Sequence, residues 1–137
     1  MKRGREGLVF LEAEQIIRIH DVLLDAYGGD EGGGHGGEHG EGADAAAQAV
    51  KNSYYEHPLE LAAAYAVYVI QGHIFLDACK RTGSGAMLAF LEGNKIKPFR
   101  WMKRPRQENI ALMIELQQRA EVGESPQTLI AWLAKLL

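Results

Sequence analysis

Cysteine is all but missing: Cys79 stands alone in 137 residues. No disulfide can form within the chain, so its stability must come from a packed core, and a reducing compartment suits it. No apolar run reaches the roughly 18 residues that a membrane-spanning helix needs. The basic start Met1-Lys2-Arg3-Gly4-Arg5 has no such run behind it. We therefore read neither a signal peptide nor a membrane anchor and expect a cytoplasmic protein. A large charge of one sign is missing too. Fifteen Lys and Arg against eighteen Asp and Glu leave a net charge of -3, which gives no global case for nucleic acid as a partner. Strand patterns are scarce, with only a short candidate piece near residues 96–101, and no internal repeat occurs.

What the sequence does have is apolar residues, 47% of the chain, set at helical spacing. The length suits one domain, 1–137, around one core. Over residues 12–27, Ala13, Ile16, Ile17, His20, Leu23, Leu24 and Tyr27 recur at three- and four-residue steps and share one helix face. Gly28-Gly29 can end that helix. The stretch 29–42, GDEGGGHGGEHGEG, is too glycine-rich to order without a tight reason and reads as a flexible loop that could serve as a flap. Its His35 and His39, with Asp30, Glu38 and Glu41, could meet a metal, but a solvated loop is the plainer reading. Helix formers resume at Ala43.

His57-Pro58 marks the next start, since proline suits a first helical turn. Residues 59–71 are apolar almost all round, the mark of a helix buried at the centre of a fold. A linker, 73–79, leads to a helix over 80–92 that Gly93-Asn94 stops. Residues 95–106 are basic and irregular, with Pro98 and Pro105 arguing against a continuous helix. This run suits a local partner or the side of a nucleotide. Helices over 107–121 and from Ser125-Pro126 onward complete an all-α chain of about six helices.

The chemistry concentrates in GHIFLDACKRTG, residues 72–83. A helix start offers unpaired backbone N–H groups and the positive end of the dipole, which attract phosphate. Lys80 and Arg81 add two cations there. Asp77 is a hard oxygen ligand suited to Mg²⁺, and His73 can take a proton from a hydroxyl near neutral pH. Phosphoryl transfer needs positioning, charge neutralisation and one base. Each residue also has an ordinary role: a structural histidine, a capping aspartate, a solvated Lys-Arg pair. Composition and spacing leave the two readings level.

The run His73-Ile74-Phe75-Leu76-Asp77-Ala78-Cys79-Lys80-Arg81-Thr82 resembles the signature of the Fic/Doc family. That signature reads His, any residue, Phe, any residue, Asp or Glu, Gly or Ala, Asn, Gly or Lys, then Arg. Six positions match: His73, Phe75, Asp77, Ala78, Lys80 and Arg81. Ile16-Ile17-Arg18-Ile19-His20-Asp21, Tyr27-Gly28-Gly29 and Phe90-Leu91-Glu92-Gly93-Asn94 resemble the Doc-like branch as well. The resemblance implies a compact helical bundle around a buried central helix, and nucleotide-dependent modification of a protein hydroxyl. By it, His73 is the general base, Phe75 anchors the loop, and Asp77 holds Mg²⁺. The backbone from Ala78 through Cys79 to Lys80 forms the anion hole, and Lys80 and Arg81 bind the phosphates of ATP.

Two positions depart from the pattern. Cys79 replaces the family's asparagine, a better hydrogen-bonding group than a thiol, so a catalytically weakened, partner-binding module is an alternative. Lys80 and Ser84 stand where AMP-transferring members carry glycine and a second arginine. That favours transfer of the terminal phosphate of ATP over adenylylation. The implied partners are a target protein with a hydroxyl side chain, such as a translation factor, and a small antitoxin. No Ser/Thr-x-x-x-Glu-Gly/Asn stretch is present to restrain the site from within.

Overall fold

The structure, a computed structural model, describes residues 5–27, 40–72 and 79–137. Among them lie seven helices and no strand: α1 (Ala13–Tyr27), α2 (Gly40–Lys51), α3 (Pro58–Gln71), α4 (Cys79–Gly93), α5 (Phe99–Lys103), α6 (Arg106–Glu121) and α7 (Pro126–Ala134). The fold is the expected all-α bundle. The piece near 96–101, a possible strand from its sequence, instead runs into α5, a one-turn helix that raises the count from six to seven.

α3 forms because its start is satisfied at both levels. Pro58 occupies the first turn, and the Nδ1 of His57 accepts the N–H of Leu59 at 3.1 Å. Its residues from Leu61 to Val67, with Val69 and Ile70, are buried. α3 packs most extensively against α4, then α7, with α2 and α6 around it. A fully buried Leu, Ile or Val contributes about 1.5–3 kcal/mol, so this helix carries a large share of the core. The N–H of Gly72 closes its end on the carbonyl of Tyr68 at 3.0 Å.

α2 starts at Gly40, three residues before the glycine content of the loop suggests it should. Ala43, Ala46, Ala47 and Val50 are buried at helical spacing against the core, and glycine is far less costly at a helix start than in its interior. The remainder of the 29–42 loop, with the flap and the His35 and His39 metal idea, lies outside the described residues. α5 is held from outside itself. Trp101 is its buried anchor, and the Nδ2 of Asn109 donates to the Trp101 carbonyl at 2.9 Å. Pro98 and Pro105 precede α5 and α6 rather than breaking them, because each sits where no helical N–H is needed.

The N-terminal strap is tied to the bundle by backbone-directed bonds. Arg5 donates to the carbonyls of Lys51 and Ser53, each at 2.7 Å, and so covers the end of α2. Asn94 holds Val9 by both amide groups, at 2.7 and 2.9 Å. The Tyr65 hydroxyl accepts the Leu11 N–H at 2.8 Å. At the opposite end, Arg119 grips Glu124 through two bonds of 2.7 and 2.6 Å and lies over the ring of Trp132. That hydrogen bonding holds the Glu124 carboxyl below its usual range. No helix is long and apolar enough to cross a membrane among the described residues.

Candidate functional site

α4 begins at Cys79, one residue earlier than its sequence suggests, and Lys80 and Arg81 follow in its first turn. That turn itself carries no acidic side chain, and a helix start presents the positive end of the dipole. His73, Phe75, Asp77 and Ala78 lie outside the described residues. The described part of the sequence signature is therefore its helical end.

Two glycines fix where that end sits. A Cβ on Gly83 would lie 3.2 Å from the Ala66 carbonyl oxygen and 3.2 Å from Ile70. A Cβ on Gly85 would lie 2.8 Å from Ile19, closer than packed atoms allow. α4 thus seats against α3 through one glycine and against α1 through the other. Just before them, Thr82 is fully buried, and its Oγ1 has no hydrogen-bond partner among the described residues. Ser84 is left on the side that faces a cavity.

This cavity, of about 820 Å³, is bounded by α1, α4, α5 and α6. Its size lies in the range of roughly 300–1,000 Å³ typical of small-molecule sites. Leu23, Leu88, Ile110 and Met113 give it apolar walls, and Lys80, Arg81, Arg104 and Arg106 border it. None of the described residues lining it is acidic. Four cations gathered at one cavity attract anions, and the low-dielectric walls strengthen that field. The residues present therefore fit a polyphosphate ligand. For a divalent cation, no cluster of three His, Cys, Asp or Glu residues forms among the described residues.

The cations are held differently. Lys80 Nζ donates to Gln117 Oε1 at 2.8 Å. Arg104 Nη1 donates to Asn109 Oδ1 and to the Leu136 carbonyl, each at 3.1 Å. Arg81 and Arg106 are exposed. Sequence reasoning singled out Lys80 and Arg81 and placed the 95–106 run beside a partner or nucleotide. The structure brings Arg104 and Arg106 of that run to the same cavity. Asn109 and Gln117 were not legible, because an amide on a polar helix carries no signal of its own. His20, on the apolar face of α1, is fully buried, its Nδ1 3.5 Å from the Asp21 carboxylate.

Sequence comparison adds an independent finding. The model of the Fic/DOC family matches residues 10–91, well over half of the chain. The protein kinase doc of Escherichia phage P1 is 35% identical over 94 residues, which cover 65% of this chain and 71% of that protein.

Proposed function

The chain belongs to the Fic/DOC family, on its Doc-like branch, and from that premise we propose that it transfers the terminal phosphate of ATP to a hydroxyl on a target protein. The observation that carries this reading is the cavity at the start of α4. Lys80 and Arg81 border it, and Ser84 occupies the place of a second arginine. A long cation replaces the glycine of AMP-transferring members, which disfavours their nucleotide pose. The phage P1 relative is named a protein kinase, which supports phosphate rather than AMP as the group moved.

ATP fits the cationic, half-apolar cavity, and its γ-phosphate is the group to be transferred. His73 takes the proton of the attacking hydroxyl, so a new O–P bond forms as the bond to the leaving ADP breaks. Lys80, Arg81 and the backbone amides from Ala78 through Cys79 to Lys80 hold the phosphate charge. Asp77 would hold Mg²⁺, which neutralises phosphate oxygens when bound. A small antitoxin is the proposed restraint, and a translation factor the proposed class of target.

The test is transfer from labelled ATP to candidate translation factors. Label from the γ position, lost in His73→Ala and on chelation of Mg²⁺, supports phosphotransfer. Label from the α position alone replaces it with adenylylation. No transfer by the unaltered chain, with transfer gained in Cys79→Asn, marks a weakened module that binds a partner.

A further inference from the structure

The segment that carries the signature histidine and aspartate is bracketed by two glutamine contacts. On its near side, the Gln71 Nε2 donates to the Glu124 carbonyl at 3.0 Å. On its far side, Lys80 Nζ donates to the Gln117 Oε1 at 2.8 Å. Both partners belong to the end of α6 or the turn beyond it, outside residues 10–91 that the family matches. That region is stiff: Arg119, between Gln117 and Glu124, binds the Glu124 carboxylate twice and stacks on Trp132.

We infer that Gln117 is a positioning residue for Lys80, setting where its ammonium meets the phosphates of the bound nucleotide. This rests on the reading of Lys80 as a phosphate ligand. A lysine side chain loses much rotamer freedom when it is fixed. A partner that fixes it beforehand removes part of that cost from nucleotide binding. The amide is suited to the task. Its oxygen accepts one of the three ammonium protons and leaves two for phosphate oxygens. It also carries no charge, so the full positive charge of Lys80 still faces the cavity. A carboxylate in the same place would hold the ammonium more firmly but neutralise it and repel phosphate.

Titration of the full-length chain with Mg·ATP separates the possibilities. Gln117→Met keeps size and helix propensity and removes the acceptor. We expect Kd to rise about fivefold, with a melting temperature within about 3 °C of the unaltered chain. Gln117→Glu should raise Kd more than about tenfold, and added salt should narrow that gap. The deciding comparison is the pair. If Gln117 acts through Lys80, then Lys80→Met with Gln117→Met binds no more weakly than Lys80→Met alone. Additive losses would overturn the inference, because Gln117 would then act on its own or through the fold. Unchanged Kd in both Gln117 variants would also overturn it. If the unaltered chain binds no Mg·ATP at all, the nucleotide reading itself fails and takes this inference with it.

Discussion

Cys79 opens α4 at the place where the family pattern carries asparagine, and its consequence is a matter of donors and acceptors. An asparagine amide offers two donors and an acceptor, a thiol one weak donor. A phosphate that lacks one good partner is held less tightly by about 1–3 kcal/mol. We therefore expect Cys79→Asn to tighten Mg·ATP binding at least fivefold, measured by titration, and unchanged affinity would show that this side chain does not reach the nucleotide. Tyr65 sets a second test. Burial, outweighing the hydrogen bond from the Leu11 backbone, pushes its hydroxyl from 10.0 up to about 12. The folded state therefore prefers the neutral phenol, and its stability is fully present below pH 10. Between pH 10 and 12 the unfolded chain releases this proton and the folded chain does not, so stability falls by about 1.4 kcal/mol per pH unit. Burial raises Tyr55 and Tyr68 in the same direction, so Tyr65→Phe should shallow this loss without abolishing it. The same change should lower stability near neutrality by about 1 kcal/mol, because the Leu11 N–H loses its partner. Urea unfolding at about pH 8 and about pH 11 reads both effects.

At the scale of elements, two glycines of α4 make opposite predictions for one substitution. Gly93 is its last residue, and a Cβ there would meet nothing within 4 Å. Gly93→Ala should therefore stabilise the protein by about 0.5–1 kcal/mol through the lower entropy of the unfolded chain. Gly85 faces Ile19, and its added Cβ would lie at 2.8 Å. Ile is branched at Cβ and stiff, so α1 and α4 must part. Gly85→Ala should destabilise by about 1–3 kcal/mol despite the better helix propensity. Urea midpoints at constant slope distinguish the two signs. Helices were legible where a local rule governs them: His57-Pro58 and Ser125-Pro126 open α3 and α7 as caps do, and the unbroken apolar surface of α3 marked it as central. α5 was not legible. It is held by the burial of Trp101 and by Asn109, five residues beyond Arg104, and neither shows as a period in five residues. The early start of α2 was hidden for the same reason, since the burial of Ala43 and Ala46 is decided by α1 and α3.

The whole molecule divides into a part that the family describes and a part that it does not, yet the core ignores that line. Residues 10–91 match the family and contain α3 and nearly all of α4, against which α1, α2, α6 and α7 pack. The site follows the same division. Lys80 and Arg81 could be read from the signature, whereas Arg104 and Arg106 reach the cavity, and Gln117 reaches Lys80, only through tertiary packing. α7 settles whether the two parts are separable. It packs against α3 more extensively than any helix but α4, and Leu129, Ile130 and Leu133 are fully buried, with Leu137 almost so. At about 1.5–3 kcal/mol each, these four side chains contribute about 6–12 kcal/mol, comparable to the 5–15 kcal/mol or so that stabilises a typical domain. We accordingly propose one domain over 1–137 and expect a single unfolding transition with coincident midpoints by far-ultraviolet dichroism and tryptophan fluorescence. A chain ending at Gly123 should lack that transition, because the groove on α3 would open to water. A truncated chain that still unfolds cooperatively, or two separate transitions in the full chain, would instead make α7 an appendage of a smaller domain.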